Sequence, residues 1–251
     1  PWFSLPHRVD DAYVRRFAQM VKDGLREDLS VYVEYSNEVW NWQFEQTLWA
    51  EEQAKARWGE DYRGMEFYGM RAAEIARIWA QVFAGDDRAR LINVISTQTA
   101  WLGLEEQALE APLFVAENSE RNRPPAEAFD AYAVTGYFGH GLGTERQAER
   151  LHGWLAQARA AAEAEAQAAG LTGEARAGFV AQASYEAVTE KMAQDLRDGS
   201  LSGETEDSVQ RLIGEVWPYH RDVAARYGLD LVAYEAGTHL AASGAVLDDA
   251  A

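Results

Sequence analysis

The chain has 251 residues, enough for one large domain, and its 47% hydrophobic and 12% aromatic content can fill a sizeable core. Against 23 basic residues stand 41 acidic ones, a net charge of −18 that repels phosphate backbones and anionic lipid; nucleic-acid and membrane partners are not expected, whereas a neutral substrate fits. The absence of cysteine excludes disulfides and thiolate metal sites and leaves the compartment open.

No apolar run reaches the length of about 18 residues that a membrane-spanning helix needs. The opening Pro1-Trp2-Phe3 lacks a basic segment followed by an apolar one, so no signal peptide is expected in the visible stretch. Asp10 and Asp11 then offer an N-cap, and Val14, Phe17, Ala18, Val21 and Leu25 follow at helical spacing with Gly24 near the end. Residues 31–35, rich in Val and Tyr, predict a buried strand. A helical stretch over 43–84, broken near Gly59, carries Ile75, Ile78, Trp79 and Val82 on one face and stops at Gly85.

LINVIS (91–96) predicts a second strand, 103–110 a short helix, 129–138 a third strand, 205–227 a helix and 229–234 a fourth strand. Near-continuous apolar strands alternating with helices indicate an α/β fold with a parallel sheet covered on both sides. Both a (β/α)8 barrel and an open doubly wound sheet satisfy that rhythm. Residues 141–204 interrupt it. Their portion AQARAAAEAEAQAAG (156–170) favours helix, and its thin apolar stripe predicts a solvated helical insertion on a βα loop, with a substrate lid as the alternative.

The stretch VYVEYSNEVWNW (31–42) poses a chemical question, because a strand built for a core ends on an amide and a carboxylate. In parallel α/β barrels the chemistry sits where strands exit. Asn37-Glu38 leaves one predicted strand; Glu235 directly follows the apolar run LVAY of another. Two carboxylates facing each other across a barrel mouth, about 5 to 5.5 Å apart, suit retaining glycoside hydrolysis: one protonates the leaving oxygen and the other attacks the anomeric carbon. His140, His220 and His239 show no metal-ligand spacing, and no G-x-S-x-G, P-loop or G-x-G-x-x-G occurs.

YVEYSNEV resembles the fourth-strand signature of clan A glycoside hydrolases, whose family 5 members show an acidic residue, a short gap, then Asn-Glu. AYEAG resembles their seventh-strand signature. The resemblance runs over about residues 1–240 outside the Ala-rich insertion, and the longer phrase EYSNEVWNW is similar to outlying bacterial sequences of the cellulose-binding-protein type. It implies Glu38 as general acid/base, Glu235 as nucleophile, Asn37 as the amide on the sugar 2-hydroxyl and Glu34 as a structural acid. Tyr137 corresponds to the tyrosine that contacts the nucleophile, and WFSLPH, as strand three, brings His7 to the rim. Trp40 and Trp42 offer rings for sugar stacking or for packing of the next helix, as does Trp101.

By this match LINVIS is strand five and AYAVTGYF strand six. One partial (β/α)8 domain over 1–251 is implied, with strands 1, 2 and 8 missing and a helical insertion over 141–204 after strand six. A poly- or oligosaccharide substrate, no cofactor, no metal and secretion follow from the resemblance. Val39 stands where family 5 has proline, and Thr135 where the sixth-strand motif often has histidine; these departures motivate a second expectation, a non-catalytic carbohydrate-binding barrel. A third is an unrelated parallel α/β protein in which the two glutamates are coincidental.

Overall fold

The computed structural model describes residues 1–242. Asp248-Asp249, expected to be solvated charges, and the end of the domain expected over 1–251 lie outside the described residues. Five strands, β1 (Trp2–Leu5), β2 (Val31–Tyr35), β3 (Leu91–Ser96), β4 (Ala131–Phe138) and β5 (Asp230–Thr238), form one sheet in chain order. The strands run parallel, in registers that set Trp2 beside Tyr32, Glu34 beside Val94 and Val94 beside Ala131. Between the last two, Asp230 N–H donates to the Asp130 carbonyl and His239 N–H to that of Phe138, so both strands run the same way. The chain is therefore α/β with a parallel sheet, as the helix–strand rhythm predicts.

The crossovers are α1 (Asp11–Gly24); α2 (Glu45–Trp58) and α3 (Gly64–Val82); α4 (Leu104–Glu110) and α5 (Pro112–Glu117); and, between β4 and β5, α6 (Glu145–Ala168), α7 (Gly173–Asp198), α8 (Val209–Arg211) and α9 (Trp217–Tyr227). Two compact units result, one of residues 1–135 with 219–234, the other of residues 136–218 with those from 235 onward.

In the first unit the Asp10 carboxylate accepts the Tyr13 N–H at 2.7 Å, supplying the N-cap of α1. Val14 and Ala18 of that helix are buried, and Phe17 meets Phe3 and Trp79 edge-on at 5.3 and 5.8 Å. Helix α3 covers β2 and β3 with Tyr68, Ile75 and Trp79, all buried; losing a buried ring such as Trp79 costs a core about 3–5 kcal/mol. Where α4 crosses α3, Gly69 leaves no room for a side chain: a Cβ there would lie 1.9 Å from the Ala108 carbonyl oxygen.

Strand alternation sorts the sheet into two faces. Phe3, Val33, Ile95 and Tyr132 point towards the helices. Trp2, Tyr32, Ile92, Val94, Ala131, Ala133, Val232 and Tyr234 gather on the other face, where Trp2, Tyr32, Ile92, Val232 and Tyr234 stay half-exposed.

The second unit holds the Ala-rich insertion, a pair of long helices. α6 and α7 pack through Ala162, Ala166 and Val180 with Leu171, Phe179 and Ala183, so the thin stripe seen in the sequence is enough for one partner helix. The helix expected over 205–227 begins as a turn at Thr205–Asp207 and contains a π turn at Leu212–Val216, where Trp217 N–H reaches back to the Leu212 carbonyl. Pro218 explains the distortion, since it has no N–H to give to the preceding turn. Strand β5 runs past the expected 229–234 to Thr238, paired along the equally extended β4. Helix α5 is not apparent in the sequence; Pro112 starts it and buried Glu66 accepts the Leu113 N–H at 2.9 Å.

Candidate active site

Strand β2 delivers Glu34 and Tyr35 to opposite faces. Glu34 is buried on the half-open face, where its carboxylate accepts from Trp2 Nε1 at 3.1 Å and from Ser96 Oγ in a short hydrogen bond. Tyr35 points to the helices, donates to the His7 carbonyl at 2.6 Å and stacks on Tyr68; burial pushes its phenol well above the ordinary range.

Beyond Tyr35 the backbone breaks sharply. Ser36 and Glu38 both adopt left-handed conformations, at φ 62° and 44°. A residue with a Cβ loses about 1–2 kcal/mol there, and such strain gathers at functional sites where neighbours over-determine the conformation. Here the neighbours are clear. Ser36 N–H donates to the Leu5 carbonyl at 2.6 Å, Gln46 Nε2 holds the Asn37 carbonyl at 2.6 Å, and Asn41 N–H holds that of Glu38 at 2.9 Å.

The Glu38 side chain is half-buried. Asn41 Nδ2 donates to its Oε2 at 2.8 Å, and the Tyr234 hydroxyl stands 3.5 Å from Oε1, at the outer limit of a hydrogen bond. Asn37 is exposed. Val39 and Trp40 turn into the core at 4% and 8% exposure, whereas Trp42, at 51%, offers an open ring face. Trp101, on the loop after β3, is 56% exposed.

His7 sits after β1, half-buried and tilted against Trp49 at 5.4 Å. Its Nε2 is buried without a hydrogen bond, 4.0 Å from Glu45 Oε1, in a crevice among Tyr35, Val39, Trp49 and Phe67 that has no space for water. Burial lowers the His7 pKa; Glu45 opposes that shift and Arg8 adds to it. The imidazole therefore packs among α2 side chains.

In the second unit Tyr137, near the end of β4 and 38% exposed, donates its hydroxyl to Glu235 Oε2 at 2.5 Å. The His239 ring lies 5.0 Å from that of Tyr137, and His140 a further 5.2 Å from His239. The structure thus brings Tyr137 to Glu235, and Asn41 and Tyr234 to Glu38. Glu38 and Trp42 belong to the first unit, Glu235 and Tyr137 to the second.

Asn41 and Tyr234 were not among the residues the sequence singles out, although each lies within three positions of a candidate glutamate. His220, in the sequence only a histidine without metal-ligand spacing, is fully buried: its Nε2 contacts the Thr99 carbonyl at 2.8 Å and its Nδ1 the Tyr132 hydroxyl at 2.9 Å. Nε2 therefore carries the proton and Nδ1 accepts. Thr99 Oγ1 in turn accepts the Thr135 N–H at 2.7 Å, tying the loop after β3 to the end of β4. Among the described residues no group of three or more His, Asp and Glu could hold a metal ion, and no helix is long and apolar enough to cross a membrane. Comparisons with family models, curated proteins and solved structures find no match to this chain.

Proposed function

We propose that the chain is the greater part of a (β/α)8 glycoside hydrolase that cleaves O-glycosidic bonds of a poly- or oligosaccharide with retention, β1 to β5 serving as strands three to seven of the barrel. The barrel reading is supported by a strand order that never reverses; a doubly wound sheet reverses at its switch point. It is supported too by the sidedness of the sheet, with α1, α3 and α9 against one face and Trp2, Tyr32 and Tyr234 on the other, as a barrel interior requires.

The observation that carries the chemical reading is the Tyr137–Glu235 hydrogen bond, in which a phenol from one strand orients a carboxylate on the next. Glu235 attacks the anomeric carbon and forms a glycosyl ester while Glu38 gives its proton to the leaving oxygen. Glu38 then takes a proton from water, which hydrolyses the ester. Asn37 and Trp42 are exposed beside Glu38 and are free to meet the sugar. The test is hydrolysis of a panel of 4-nitrophenyl glycosides and soluble glucans by the parent, Glu235→Ala and Glu38→Ala proteins. Loss of turnover in both variants, each still folded, supports the assignment; turnover equal to the parent's in either rejects it.

A second reading is a carbohydrate-binding barrel without turnover. Exposed Trp42 and Trp101 favour it, since ring faces bind sugars without any acid. Glucan retention with no reducing sugar released distinguishes it.

A further inference from the structure

The connection that follows Tyr137 reads Gly139-His140-Gly141-Leu142-Gly143, and side chains of the helical insertion crowd two of its glycines, Gly139 and Gly141. Asp207, in the turn after the hairpin, grips this loop from both carboxylate oxygens: Oδ1 accepts the Gly139 N–H at 3.1 Å and Oδ2 the Gly141 N–H at 2.7 Å. The Asp207 backbone carbonyl lies 2.9 Å from the same Gly139 nitrogen. Leu196 of α7 presses on Gly139, which adopts φ 83°; a Cβ there would fall 2.3 Å from Leu196 Cδ2. A Cβ at Gly141 would fall 2.7 Å from Glu204 Oε2, and that carboxylate is itself held by Arg146 and Gln147 at 2.5 and 2.6 Å. Backbone amides bound by a carboxylate are among the stronger hydrogen bonds of a protein.

We propose that Asp207 is a positioning residue through which the helical insertion buttresses the Glu235 carboxylate, fixing the 139–143 loop and, two residues upstream, the Tyr137 hydroxyl. The insertion is then a fixed support of the site and no lid. The clamp stands on geometry alone; only its effect on turnover rests on the glycosidase reading.

Hydrogen exchange with mass spectrometry on the full chain, for the parent, Asp207→Asn and Asp207→Ala, separates the two. The clamp predicts exchange over 136–144 faster by about tenfold or more in Asp207→Ala, a smaller rise in Asp207→Asn, and unchanged protection over 175–190. Unchanged exchange over 136–144 in both variants overturns the proposal, and so does equal deprotection of 175–190, which would make Asp207 a general fold residue. On a 4-nitrophenyl glycoside that the parent hydrolyses, positioning predicts kcat lowered by about tenfold in Asp207→Ala with KM within about twofold; a raised KM at parental kcat contradicts it. A parent inert on every glycoside counts against the glycosidase reading, and the exchange result still decides the clamp.

Discussion

The Tyr137 hydroxyl donates to Glu235 Oε2 at 2.5 Å, joining the end of β4 to the carboxylate of β5. A hydrogen bond to a charged group contributes about 1.5–3 kcal/mol, so Tyr137→Phe is expected to lower kcat roughly 10- to 150-fold. Because Tyr137 and Glu235 are both exposed, water can take the place of the lost partner and the melting temperature should stay near the parent's. Steady-state kinetics alongside thermal unfolding check both halves.

Left-handed backbone at Glu38 leads to a comparison that isolates strain from contacts. Glu38→Ala and Glu38→Gly both lose the Asn41 and Tyr234 contacts, but only glycine relieves the conformation. The glycine variant is expected to be more stable than the alanine variant by about 1 kcal/mol, with neither turning over substrate. Urea unfolding of the pair reads the difference; equal midpoints would mean that the conformation is unstrained.

Gly69 marks the closest approach of α3 and α4. Its absent Cβ would overlap the Ala108 carbonyl, which is backbone and cannot rotate away. Overpacking of this kind costs about 1–3 kcal/mol or more, so Gly69→Ala should shift the denaturant midpoint down with an unchanged slope. A parental midpoint would show that the helices separate freely.

His220 couples stability to pH. Burial lowers its pKa, while the hydrogen bond to the Thr99 carbonyl and the charge of Glu105 oppose that shift. In the unfolded chain a histidine titrates near 6.5, so below about pH 6.5 the unfolded state binds more protons than the folded one. The contribution is complete above that pH and is lost as pH falls towards the folded value. His7, lowered by burial as well, acts with the same sign. His220→Gln, which keeps a donor for Thr99 and cannot charge, should flatten the fall in unfolding free energy between about pH 6.5 and 5.

The sequence disclosed those elements whose local signals and tertiary surroundings agree. β2 and β3 match the expected 31–35 and 91–96 to the residue, because both are runs rich in β-branched and aromatic residues, buried everywhere but at Tyr32 and Ile92. Asp10 caps the start of α1 as its side-chain chemistry predicts, and the helix ends at Gly24. The expected strand 229–234 falls short of β5 because Glu235 and Gly237 end its apolar run, although pairing with β4 carries the strand on to Thr238.

Buried acids were the least legible. Glu66 and Glu105 are fully buried, and Asp207 binds two backbone amides, yet in a chain with 41 acidic residues nothing local separates them from solvated neighbours. Burial raises the Glu66 pKa, while the Leu113 N–H and Arg63 pull it back down; those partners lie on other turns and elements. Trp40 and Trp42 illustrate the same limit: two residues apart in sequence, one is core and the other open.

The central claim, that Glu38 and Glu235 act on one sugar linkage, is tested most directly by trapping. Incubation with 2,4-dinitrophenyl 2-deoxy-2-fluoroglycosides, followed by peptide mass spectrometry, should place the sugar on the peptide containing Glu235, with the Glu38→Ala protein labelled too but unable to release it. Labelling on any other residue, or a product of inverted anomeric configuration from the parent, would contradict the two-carboxylate assignment.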